Sequence, residues 1–121
     1  MEGGVSFDFK DLKIWQESMI LVEVVYRLTA QLPNDEKFGL QSQMRRAVIS
    51  IPSNIAEGKG RSTGKDFRSF LICARSSLLE LQTQLEICFR LKYIDHQSYC
   101  VVDEQMIRLS RMLSSFIRSL S

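Results

Sequence analysis

The chain is poor in helix breakers. Its 121 residues include two prolines and six glycines, and no run alternates apolar and polar residues as a half-buried strand does. A β-rich or low-complexity fold is therefore excluded. Cysteine is scarce as well: Cys73, Cys88 and Cys100 are an odd number with no Cys-x-x-Cys pair. That pattern does not describe a disulfide framework, and the three read as small buried hydrophobes in a reducing compartment. No apolar run approaches the ~18 residues that span a bilayer; Met19–Val22 is cut short by Glu23. The N-terminal residues Met1–Ser6 lack the basic and then apolar regions of a signal peptide. Together these absences predict a cytoplasmic protein. The length fits one domain, residues 1–121, with its own core.

What is present is helical periodicity. Four segments, about 9–31, 35–57, 65–92 and 96–120, carry apolar residues at spacings of three and four. The first stripe is Leu12, Trp15, Met19, Val22, Val25 and Leu28; the second is Leu40, Met44, Ala47, Val48, Ile51 and Ile55. Phe67, Phe70, Leu71, Ala74, Leu78, Leu81, Leu85 and Cys88 form the third. Tyr99, Val102, Met106, Leu109, Leu113, Phe116 and Leu120 form the fourth, a coiled-coil-like seam. Pro33 separates the first two segments, with Asn34 or Asp35 as the cap of the second. Pro52 predicts a kink near Ser50. Gly58 and Gly60 suit a positive-φ helix end, while Thr63 and Asp95 suit helix starts. Four such helices with short turns predict an all-α, antiparallel up-down-up-down bundle. Second apolar stripes (Ile14, Leu21, Tyr26; Ile72, Leu79, Ile87; Ile107, Ile117) suit either a wide core face or burial against other subunits.

Charge is mild overall, +2, but uneven. Between Lys37 and Arg75 eight basic residues face two acidic ones, a local +6, and the remainder carries −4. The turn Gly58–Lys65 imitates a phosphate loop but has the wrong glycine spacing, follows a helix and places Asp66 after Lys65, so a nucleotide-triphosphate site is rejected. A simpler anion site remains, in which Lys59, Arg61, Lys65 and Arg68 surround the start of the third helix. The same residues also suit an ordinary capped turn with solvated charges. Arg45 and Arg46 point about 100° apart. Arg46 is expected to pair with Glu80 across the second and third helices, which leaves Arg45 as the more exposed of the two.

Several groups of residues form a recognisable set: Phe9, Leu12 and Trp15; Pro33 with Gly39-Leu40; Gln43-x-Arg45-Arg46-Ala47; Ser50-Ile51-Pro52-x-Asn54-Ile-Ala-Glu-Gly58; Gly60-Arg61; and Phe67, Phe70-Leu71, Ala74 and Ser77-x-x-Glu80-Leu81. On these residues the chain resembles the small four-helix-bundle proteins named for the 23S rRNA intervening sequence. The accessory protein of diversity-generating retroelements is a related bundle. The resemblance implies a left-handed bundle assembled as a homopentamer, with a basic surface that meets nucleic acid.

Catalysis has little support in the sequence. The one histidine, His96, stands four residues before Cys100, and with Cys88 gives too few ligands for a metal site. No nucleophile–base constellation or Glu-x-x-His pattern is visible, so no catalytic residue, metal or cofactor is expected. The sequence thus points to a non-enzymatic homo-oligomer that binds structured RNA through phosphate contacts from Arg45, Lys59, Arg61, Lys65 and Arg68. The competing reading is a protein-interaction scaffold with no nucleic-acid ligand.

Overall fold

In a computed structural model, residues 8–120 are described; the N-terminal run considered above as a signal peptide lies outside them. Four helices dominate: α1 (Lys13–Thr29), α2 (Leu40–Lys59), α3 (Gly64–Arg90) and α4 (His96–Ser119). Among the described residues there is no strand, and no helix is long and apolar enough to cross a membrane. Helix α1 packs on α2, α2 on α3, α3 on α4, and α4 returns to α1. Facing positions fall along one helix as they rise along the next. Across α2 and α3, Met44 meets Cys88 and Ser50 meets Ser77. Across α3 and α4, Glu86 meets Tyr99 and Arg75 meets Ser114.

The helix starts depart from expectation at two places. The predicted first helix opens instead as a 3₁₀ turn, Phe9–Asp11, closed by a capping box between Asp8 and Asp11. Leu12 is extended (φ −73°, ψ 127°) and α1 begins after it. The second helix is not capped by Asn34 or Asp35, which belong to another 3₁₀ turn, Asn34–Glu36. The Glu36 carboxylate reaches forward to accept from the Leu40 N–H at 3.1 Å, and α2 starts there.

Thr63 and Asp95 cap as expected. Thr63 Oγ1 accepts from Asp66 N–H at 3.1 Å, and Asp95 Oδ1 accepts from Ser98 N–H at 2.7 Å. Pro52 lies buried inside an unbroken α2. Beside the bond it cannot make, Ser53 Oγ donates to Ile49 O (2.9 Å) and Asn54 Nδ2 to Ser50 O (2.9 Å).

The glycines of the second turn do not act as positive-φ caps. Gly60 ends α2 in right-handed geometry (φ −77°), and no described glycine has positive φ. Gly58 is needed for proximity. A Cβ there would lie 2.7 Å from Phe70 Cβ and 2.9 Å from Phe67 Cδ1, so α3 crosses α2 directly over it. The left-handed cap occurs elsewhere, at Lys92 (φ 64°). There Tyr93 N–H donates to Cys88 O (2.9 Å) and Lys92 N–H to Phe89 O (3.0 Å), a Schellman closure of α3.

The core follows the predicted stripes of α2, α3 and α4. Met44, Ile51, Ile55, Leu71, Leu78, Leu81, Leu85, Met106 and Leu113 are fully buried. On α1 the register differs. Ile14, Leu21, Val25 and Leu28 face inward together with Ser18, whose hydroxyl donates to Trp15 O (2.7 Å). Trp15 and Val22 are half-buried and Met19 is exposed. The inward face combines both predicted stripes, Ile14 and Leu21 from one with Val25 and Leu28 from the other, and Leu12 is buried in the core although it lies outside the helix. Ile117 likewise belongs to the core, whereas Leu79, Ile87 and Ile107 remain on the surface.

Candidate nucleic-acid interface

The basic residues of the α2–α3 turn stand at one end of the bundle. Three residues, Gly60–Ser62, separate the end of α2 from the cap Thr63. With Thr63 capping Asp66, the N–H groups of Gly64 and Lys65 have no partner within α3. Residues 61–66 are all exposed, so this end of α3 is open to solvent. Lys65 is exposed, and Lys59 and Arg68 are half-buried. Arg61 spreads its guanidinium over the Phe70 ring (4.7 Å) and pairs with Glu57 at 3.6 Å. That pair is largely solvated and therefore weak, so an anionic ligand can replace Glu57 at small cost. Arg68 keeps a buried Nε–H with no acceptor.

These cations surround the α3 N-terminus without converging on one point. Phe70, under Arg61, and Arg68 are two residues apart and so stand about 200° apart around the α3 axis. The arrangement suits an extended polyanion with several phosphates better than a single small anion.

Arg45 is not part of this group. It lies fourteen residues before Lys59, about 21 Å along α2 at ~1.5 Å per residue. Its expected exposure is also corrected. Nε donates to Thr29 Oγ1 (2.9 Å), Nη2 donates to Tyr26 O (3.2 Å), and the guanidinium lies over the Tyr26 ring at 4.4 Å. Arg45 thus ties α2 to the last turn of α1, where helix-end carbonyls need donors. Arg46 is the exposed member of the pair. It lines one crevice with Glu80, but the two form no ion pair. Glu80 instead accepts from Gln84 Nε2 (3.3 Å), and α2 and α3 are bridged by the Ser50 and Ser77 hydroxyls at 2.8 Å.

Several carboxylate ties have no counterpart among the sequence expectations. Glu17 accepts from Arg108 Nη2 at 2.8 Å, joining α1 to α4. Two more lie near the ends of helices. Glu86 accepts from the Tyr99 hydroxyl (2.6 Å) and from Arg90 Nε (2.9 Å). These bonds hold its carboxyl below the ordinary range and push the Tyr99 phenol up to about 12. Glu36 accepts from the Tyr93 hydroxyl at 3.0 Å, raising that phenol too. Both link sequence-distant helix ends, and no periodicity announces them.

The cysteines differ from the expectation that all three are core. Only Cys88 is buried, against Met44 Sδ (3.6 Å); Cys73 and Cys100 are exposed. Burial, with a smaller contribution from Glu36, pushes the Cys88 thiol up to about 11.

A family model described as "23S rRNA-intervening sequence protein" matches residues 10–115. The chain belongs to this family. A solved structure is also similar: a protein of unknown function from the S23 ribosomal protein family of Bacteroides thetaiotaomicron VPI-5482. It is 26% identical, with a TM-score of 0.80 over 86% of this chain and 97% of that one. No curated protein matches. In this member of the 23S rRNA-intervening sequence family, the Asn54–Gly58 run that carries the resemblance is architectural. Asn54 supports the helix at Ser50, Ile55 fills the core, and Gly58 admits α3.

Proposed function

We propose that this protein is a non-enzymatic, cytoplasmic homo-oligomer that binds structured RNA through phosphate contacts at the α2–α3 turn. The bundle is read as antiparallel, up-down-up-down and left-handed, and as a pentamer by family resemblance. The descending register of facing residues supports the first part.

The observation that carries the reading is the open α3 N-terminus, bordered by Lys59, Arg61, Lys65 and Arg68 within a chain that is otherwise net acidic. Helix N–H groups and cations together favour phosphate oxygens. Since the cations spread around the helix end, they recognise backbone and shape more than base edges. A ring of such turns would multiply a weak site by avidity. Arg45 is left out of the proposed binding set because it stands about 21 Å along α2 from the turn and its guanidinium is held against α1.

The test compares a structured RNA's affinity for wild type, for K59Q/R61Q/K65Q and for R46Q. The reading expects the turn variant to bind at least about tenfold more weakly, because it neutralises fewer phosphates, with R46Q near wild type. The scaffold reading has its own support in the exposed Leu79, Val101 and Phe38 side chains. It expects no RNA binding by any of the three proteins.

A further inference from the structure

Among the described residues the structure brings together a thiol and an imidazole, on two residues weighed and set aside above as metal ligands. Cys100 Sγ lies 3.5 Å from His96 Nε2 and 3.7 Å from Nδ1, one helical turn apart on α4. Both residues are exposed. His96 is positioned by more than its own helix. Its ring packs on Phe89 of α3 (5.8 Å), which stacks on Tyr99 (4.6 Å), itself fixed by the hydroxyl bond to Glu86. The Phe89 ring thus borders the imidazole on the side of α3. The other cysteines lack this setting: Cys88 is sealed in the core, and exposed Cys73 has no histidine beside it, since His96 is the only one in the chain.

We propose that Cys100 is a thiol-modification site, with His96 as its proton acceptor, that takes up a thiol group from small disulfides. Imidazole is the side chain suited to accept a proton near neutral pH, and the thiolate is the attacking form of cysteine. The Cys100 Sγ–H proton passes to an imidazole nitrogen, and the sulfur attacks one sulfur of a disulfide R–S–S–R. A new Sγ–S bond forms as the old S–S bond breaks. The electron pair leaves on RS⁻, which takes the imidazolium proton. Cys100 is oxidised to a mixed disulfide and one half of the reagent is reduced, so no further oxidant is required. The product places a new substituent on the outer face of α4, close to the α3–α4 connection.

Labelling with 4,4′-dithiodipyridine, the reacted cysteines being assigned by peptide mass spectrometry over time, tests this on the full-length native protein. Cys100 is expected to react at least about tenfold faster than Cys73, a threshold set below the ~10²–10⁴-fold that a positioned base supplies. Cys88 should stay unmodified until denaturant is added. H96Q is expected to bring Cys100 down to the Cys73 rate, with Cys88 still protected as the internal sign that the fold is intact. A wild-type Cys100 no faster than Cys73 overturns the proposal, whatever the variant does. So does an H96Q protein that keeps the fast Cys100 rate with Cys88 protected. Should H96Q expose Cys88, the wild-type ordering alone decides.

Discussion

Gly58 lies inside α2 rather than at its cap, and there is no room for a side chain there. A methyl group there would press on Phe67 and Phe70. G58A should cost about 1–3 kcal/mol, as other overpacked sites do, read as a lower denaturation midpoint at unchanged slope. The opposite sign is expected at Lys92, the described non-glycine residue with positive φ. There K92G should stabilise by about 0.5–1 kcal/mol, because relief of the left-handed penalty exceeds the added chain entropy. The adjacent arginines provide a third contrast. R45A removes two hydrogen bonds and a ring contact and should cost about 1–2 kcal/mol, while exposed R46A should stay within about 0.5 kcal/mol. The sequence alone suggests these two roles in reverse. Helical geometry shows that the side chains diverge, but the choice between them depends on a helix end, Tyr26–Thr29, sixteen or more residues away. Gly58 is legible as a special position, yet a glycine's reason (turn or close approach) cannot be read without its neighbours.

At the scale of elements, most of the architecture is readable. Stripes on α2, α3 and α4 face inward as their spacing requires, and Thr63 and Asp95 cap where a short polar residue precedes an apolar helix. Helix α1 departs from its predicted register: its inward face combines both stripes, and the segment opens with a 3₁₀ turn that no periodicity reports. The cross-helix ties of Glu86 and Glu36 are invisible for the same reason that Arg45 is misplaced: their partners are far away in sequence. Such ties make stability pH-dependent. Asp95 is held below its ordinary value by the Ser98 hydrogen bonds, and Glu86 by those from Tyr99 and then Arg90. A carboxyl lowered in the folded state stabilises above its unfolded value and loses that contribution as acid protonates it. Denaturant midpoints should therefore fall as pH drops below the ordinary values of 3.8 and 4.5, and D95N/E86Q should flatten that decline. Tyr99 has the reverse sign. Raised to about 12, it contributes fully below its ordinary 10.0 and loses its contribution as pH rises through the folded value. Y99F should remove that part of the alkaline slope.

For the molecule as a whole, family membership and the four-helix fold are accessible from one motif-bearing helix and three clean stripes. The candidate interface is half legible. Charge counting locates the α2–α3 turn, and helix rise already puts Arg45 about 21 Å from it, but only the packing shows that Arg45 is held against α1 and that Arg61 lies over Phe70. Phosphate binding at this turn is tested most directly by the salt dependence of affinity for a structured RNA, in the wild type and in K59Q/R61Q/K65Q. Log affinity should fall linearly with log salt. The variant's slope should be shallower by about 0.7–0.9 for each phosphate that its side chains no longer neutralise. Equal slopes for the two proteins, or no binding even at ~50 mM salt where screening is weak, would contradict phosphate binding there.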